Sequence, residues 1–157
     1  MTLLPFFQWC EASWLGNSIR ESLWLFPVIE AVHLLGLCLL GGAILLVDLR
    51  LLGVGLRRYP IPQIAQEASR WLMISVVVML TTGTALFLSE SIKCYYSQAF
   101  WVKITTLPVA LLFTYLVRQR VAMRAGDTST GATKVVAALS MMLWFTVAAA
   151  GRWIGFS

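Results

Sequence analysis

Residues 23–47 form a run of 25 positions that is apolar throughout except for two ionisable side chains, Glu30 and His33. Three further apolar stretches follow, at 71–89, 100–117 and 135–156. At about 1.5 Å of rise per residue, each has roughly the length needed to cross about 30 Å of hydrocarbon. The pattern predicts an all-α membrane protein, a four-transmembrane-helix bundle whose single domain takes in residues 1–157 and leaves no room for a second. Ahead of the first run, Leu3, Phe7, Cys10 and Trp14 recur at helical spacing, with Gln8, Glu11 and Ser18 among the polar positions. Residues 3–19 are therefore expected to form a short N-terminal interfacial helix. The absence of Lys or Arg before that stretch argues against a cleaved signal peptide.

The breaks are legible too. Ser22 can cap the first span, Pro27 is tolerable near a first turn, and Gly53, Gly55, Pro60 and Pro62 end any extension of it. The stretch 124–134, with Gly126, Asp127, Ser129 and Gly131, reads as a polar loop. Pro108 falls inside the third span, where it removes a backbone bond to residue 104 and should kink the helix.

Composition removes the soluble alternative: 59% of residues are hydrophobic, 12% are charged, and mean hydropathy is +0.81. The positions of the 12 basic residues then give an orientation. Arg50, Arg57, Arg58 and Arg70 flank the first connection, and Arg118, Arg120, Arg124 and Lys134 flank the third. Only Arg20, Lys93, Lys103 and Arg152 lie on the other side. Because basic residues accumulate in cytoplasmic loops, both termini are expected outside a bacterial inner membrane. The net charge of +5 suits anionic lipid rather than nucleic acid. Among the three cysteines there is no CxxC pair. Cys38 falls inside the bilayer, whereas Cys10 and Cys94 both lie near the outer face, at matching depth for a pairing that spacing leaves open.

The candidate chemistry sits in the spans. Helical steps of about 100° from Glu30 bring His33, Leu37, Gly41, Ile44 and Asp48 to one side of the first helix. Ser75, Met79, Thr82 and Ser89 share a face of the second. Lys103, Thr106, Ala110 and Thr114 share one on the third, as do Met141, Phe145, Ala148 and Arg152 on the fourth, and such polar and small faces are expected to meet in the bundle interior. With the termini outside, Glu30, His33, Glu90, Lys103 and Arg152 are expected in one outer-leaflet layer, at the depth of an aromatic belt of Trp24, Trp101 and Trp153.

That layer supports three readings. In one it is an ion-pair network of Glu30 with Lys103 or Arg152, or a set of snorkelling cations. In the second it holds haem b: His33, the one histidine, is the axial ligand, Gly41 lets the macrocycle approach, and Lys103 and Arg152 suit its propionates. In the third, His33 with Met79, Met141 and Cys38 takes a soft metal such as copper. No glycine-rich phosphate loop, GxSxG or second Glu-x-x-His is present, which removes kinase, hydrolase and paired di-iron assignments.

The run WLFPVIEAVHLLGLCLLGGAILLVDLRLLG at 24–53 resembles an uncharacterised bacterial family of four-span membrane proteins, a domain of unknown function. TTGTALF at 81–87, FWVKI at 100–104 and GRWIGF at 151–156 extend that resemblance over nearly the whole chain. More distantly, the histidine of span one, the threonine-glycine of span two and the lysine heading span three are similar to the copper-resistance CopD type and to the HemJ type of protoporphyrinogen oxidase. That similarity implies a ligand role for His33 and a supporting role for Lys103. The expected function is membrane electron transfer on a haem or another redox group, with copper handling or a ligand-free assembly subunit as alternatives. The expected partners are the lipid bilayer and either a second copy or a redox protein.

The basic-residue asymmetry gives a direct expectation. Reporter fusions placed after Arg58 and after Asp127 should read cytoplasmic and a fusion after Lys93 external, and the reverse at all three sites would overturn the orientation.

Overall fold

A computed structural model describes residues 3–126 and 128–156, so Asp127 of the expected loop lies outside the described residues. The described residues fold into helices joined by short turns. Two small helices come first, α1 (Leu4–Glu11) and α2 (Trp14–Glu21), followed by α3 (Leu25–Leu52) and α4 (Ile61–Ser89). A short α5 (Ser91–Tyr96) leads into α6 (Gln98–Leu112), which continues without a break through a π-helical turn at Phe113–Arg118 into α7 (Gln119–Arg124). The last helix is α8 (Gly131–Ile154). Four helices are long and apolar enough to cross a membrane: α3, α4, the continuous Gln98–Arg124 and α8.

These helices are longer than the apolar runs. Hydropathy marks only the part that needs lipid, whereas a helix goes on until its backbone is capped. α3 runs past Val47 to Gly53, whose left-handed backbone (φ 77°) lets its N–H return to the Arg50 carbonyl. α4 starts ten residues before the apolar run, at Ile61, with Pro62 in its first turn, where a missing N–H costs nothing. Thr130 caps α8 through a reciprocal pair of bonds with Thr133. Pro108 does not end its helix. The departure from α-geometry comes five residues later, in the π turn.

The expected helix at 3–19 is two helices. Ser13 interrupts it, because its hydroxyl accepts the Gly16 N–H and starts α2 afresh. Nor do the two simply lie on the interface. Phe7, Cys10, Gly16 and Ile19 are buried, and a Cβ on Gly16 would lie 2.4 Å from the Leu88 carbonyl oxygen, so only glycine lets α2 approach α4 so closely. Leu3 and Trp14, placed on the same side by spacing, are exposed. Glu11 fixes α1 by accepting the Ile92 N–H at the start of α5 (2.6 Å) while pairing with Arg20 (3.0 Å).

Around the bundle α3 packs on α4 and α8, α6 on α8, and α7 on α4. One end of the bundle carries the termini, and the other carries the loops rich in arginine. The core forms three layers. At the basic end Val47, Leu51, Ile61, Ala65, Ala122 and Ala137 pack together. In the middle Leu40, Ile44, Leu72, Ala110, Trp144 and Val147 do. At the terminal end Phe7 of α1 is inserted against Phe87, Tyr95, Phe100 and Trp101.

Between the first two layers lies a fully buried ion pair. Arg118 Nε donates to Asp48 Oδ1 at 2.5 Å and Arg118 Nη2 donates to the Ile44 carbonyl at 2.8 Å. The π turn makes this geometry available, carrying Thr114 and Arg118 inward together. Thr114 in turn receives the Trp144 indole N–H at 2.9 Å, tying α8 to the same turn.

A buried charge left without its partner costs more than the pair contributes. Asp48→Asn and Arg118→Met should each destabilise the bundle by about 3–5 kcal/mol, and the joint Asp48→Leu, Arg118→Met change should cost less than either. Reversible unfolding in mixed micelles measures all three, and additive losses would show that the pair is not coupled.

Candidate functional site

His33 lies on α3 between the central and aromatic core layers, half-buried, with its ring held from α4. Its Nδ1 is 2.8 Å from Thr82 Oγ1, and the Thr82 hydroxyl is 2.6 Å from the Val78 carbonyl. The Thr82 hydroxyl carries one proton, and giving it to the Val78 carbonyl leaves its oxygen to accept from His33 Nδ1–H. In that arrangement the ring is the Nδ1–H tautomer, and Nε2 keeps its lone pair. No partner for Nε2 is present among the described residues.

Glycines make room for this arrangement. A Cβ on Gly83, the residue after Thr82, would lie 3.3 Å from His33 Cε1. On Gly151 of α8 it would lie 3.2 Å from Lys103 Nζ, with the Lys103 stem close behind. The TTG and GRW segments thus set the seats of the two ionisable side chains. The Lys103 charge is near enough to act on the Cys94 thiol. Among the described residues Lys103 has neither an ion-pair nor a hydrogen-bond partner.

Among the described residues, no hydrogen bond or ion pair joins any two of the five residues expected in one layer. Glu30 is exposed on α3 and forms no ion pair with Lys103 or Arg152. Arg152 is exposed too, its guanidinium stacked on the Phe156 ring at 4.5 Å from the centroid. For Arg152 the cause is rotation of the helix face. On α8 the interior face is Thr133, Ala137, Ser140, Trp144, Val147 and Ala150, not the Met141, Phe145, Ala148 and Arg152 stripe. Glu90 pairs with Lys93 at 4.0 Å. Gly41 borders open space, with nothing within 4 Å of a built Cβ, and Gly36 packs against Met79. Cys38 is exposed, Cys10 and Cys94 are buried, and all three are free thiols. The tryptophans Trp24, Trp101 and Trp153 are exposed as a membrane belt requires.

The profile of a Family of unknown function (DUF6644) matches residues 6–157. The chain belongs to this family. No curated protein and no solved structure matches it. The nearly chain-long resemblance noted from the motifs is accordingly that of a family member, while the more distant likeness to copper-resistance and porphyrin-oxidising types has no match behind it and rests on individual residues.

Two features escaped the sequence reading. Thr82 stood on the correct face, and its adjacency to a glycine in TTG was the available sign that it seats another group. Asp48 was on the stripe, but its partner Arg118 was assigned to a loop flank because the apolar run ends at Val117.

Cys94, in the connection outside the spans, reports on Lys103. Burial, and secondarily the negative charge of Glu90, push its thiol up to about 11, with Lys103 and Lys93 opposing. A raised thiol yields thiolate only as pH climbs, so at pH 9 roughly one part in a hundred is reactive. Alkylation of Cys94 should therefore lag a free thiol and rise up to about pH 11. Lys103→Met should slow it further at fixed pH, and mass spectrometry of the alkylated protein would contradict the placement of Lys103 if the rate were unchanged.

Proposed function

We propose that the family member binds haem b or a closely related redox group through His33 and acts in membrane electron transfer. The observation that carries this reading is the imidazole held from α4, His33 Nδ1 lying 2.8 Å from the Thr82 hydroxyl oxygen, an arrangement in which Nδ1–H donates to Thr82 and Nε2 keeps its lone pair. Metal-bound histidines are held in this way, the far nitrogen donating to an acceptor that sets tautomer and ring angle.

Haem, when bound, supplies a one-electron couple whose potential depends on the axial ligand and its surroundings. His33 Nε2 is the residue that would hold the iron, and with one histidine in the sequence each chain offers one such bond. Thr82 orients the ring and Gly83 leaves space for it. The Lys103 ammonium, with no acidic partner among the described residues, suits an anionic propionate. The open ground at Gly41 suits a flat ligand. Arg152 would join only as a charge at the rim. The aromatic layer of Phe7, Phe87 and Phe100 closes the terminal end above the pair and limits water. The excess of basic residues at the opposite end supports an inner-membrane orientation with the site in the outer half.

Copper handling draws on one observation, the Met79 sulfur packed beside Gly36 one turn along from His33. Its other proposed donors are less well placed: Cys38 is exposed and Met141 lies on the flank of α8.

An absorption spectrum and elemental analysis of protein purified from membranes separate these readings. The proposed function predicts a Soret band that His33→Ala abolishes while the protein stays in the membrane, and that Thr82→Val weakens, with haem retention falling about 10–100-fold. Stoichiometric copper without a Soret band would favour the alternative, and neither would leave an assembly role. A Soret band unchanged in His33→Ala would reject His33 as the ligand.

A further inference from the structure

At the arginine-rich end, α7 and the start of α8 part around a cleft of about 340 Å³. Its walls include Arg120, Val121 and Arg124 from α7, Thr128 and Thr130 from the connection, and Ala132 from the first turn of α8. Arg120 and Arg124 stand one turn apart on one face, both exposed, and neither has an ion-pair partner among the described residues. Like charges at that spacing repel, and an anion between them relieves the repulsion. Among the described residues no acidic side chain lines the cleft, and the first turn of α8 adds the positive end of its dipole. The walls run on into apolar surface. Leu116 and Val117 lie one turn before Arg120 and Val121, Val135 and Leu139 lie one and two turns after Ala132, and all four are exposed. The apolar runs of these two spans end at Val117 and begin at Val135, so Arg120 stands about 4.5 Å and Arg124 about 10 Å past the edge of the hydrocarbon. That is headgroup depth.

We propose that this cleft binds one anionic phospholipid, its phosphate held between Arg120 and Arg124 and its acyl chains lying along Leu116, Val117, Val135 and Leu139. A phosphate between two guanidinium groups, with the Thr128 and Thr130 hydroxyls at the wall, is the chemistry that recognises it, and free phosphate shares that chemistry. The occupant is a lipid because the cleft lies at the depth of the bilayer's own phosphates and its walls continue as apolar surface toward the bilayer centre. The volume suits a glycerol phosphate headgroup. Arg58 and Arg70 are exposed as well but line no part of the cleft, so the site differs from the general basic surface at this end. It is independent of whatever His33 binds.

The test uses the full chain in vesicles of equal parts phosphatidylglycerol and phosphatidylcholine, extracted into mild detergent, with the lipid that stays bound counted by mass spectrometry of the intact protein. Wild type should keep one phosphatidylglycerol in preference to phosphatidylcholine. Arg120→Gln with Arg124→Gln should lower that retention at least tenfold. Arg58→Gln with Arg70→Gln removes the same charge outside the cleft and should leave retention unchanged. Ala132→Trp fills the cleft with both arginines in place and should expel the lipid too, and because Ala132 is exposed the larger ring displaces lipid rather than core. Inorganic phosphate in excess should not displace the bound phosphatidylglycerol. No preference in wild type, unchanged retention in the Arg120 and Arg124 variant or in Ala132→Trp, equal losses in the two double variants, or displacement by inorganic phosphate would each overturn the proposal.

Discussion

Hydrocarbon offers a polar group no partner, so every polar atom of the spans has to be satisfied from within the protein, and the Asp48–Arg118 pair is where this chain meets that demand most severely. Both residues are fully buried, and the guanidinium bridges the carboxylate and the Ile44 carbonyl of α3. The pair joins the first and third spans directly. Through the π turn it also sets Thr114 beneath the Trp144 indole, which brings in the fourth. The second span is held at the same level by small contacts, Ala65 and Ala68 packing in the basic-end layer and Gln119 donating to the Ala65 carbonyl. An irregular turn in a membrane helix survives only where protein covers it, and here the interior covers it.

Against that background, what is not satisfied is informative. Ser and Thr hydroxyls along the spans return their protons to carbonyls one turn back, as Ser75, Thr81, Thr84 and Thr146 do. Thr82 does so as well and keeps an acceptor position over, which fixes His33. His33 Nε2 and Lys103 Nζ have no partner among the described residues, and neither do the buried Asp48 Oδ2, Tyr115 hydroxyl and Ser140 hydroxyl. Gly83 leaves space beside the imidazole and Gly151 beside the ammonium. Glu30, on the same helix face as His33, was the acid expected beside Lys103. It points outward instead.

How much of this the sequence disclosed follows from what each signal measures. Four spans were legible because hydrophobic length is a property of the chain alone. Helix ends were not, since Ile61 and Arg124 extend past the lipid where hydropathy carries no information. The faces of the second and third helices were read correctly from Ser75, Thr82, Ala110 and Thr114, whose polar or small character is decided by burial. The fourth failed because Met141, Ala148 and Arg152 suit an outer surface as well as an inner one, whereas Ala137, Ser140 and Trp144 define the interior. Convergence by depth misled for Arg152 because depth fixes one coordinate and rotation another. The partnership of Asp48 with Arg118 depends on the π turn, which no local spacing foretold.

Whether His33 is held as the Nδ1–H tautomer with Nε2 available is open to a direct test, because a chain with a single histidine needs no signal assignment. Nitrogen NMR of protein labelled with 15N-histidine, in lipid without added cofactor, distinguishes a protonated from an unprotonated ring nitrogen directly. A protonated Nδ1 and an unprotonated Nε2 are expected, with the Nδ1 proton lost to exchange faster once Thr82 is replaced by valine. A proton found on Nε2 in the wild-type protein would contradict this expectation.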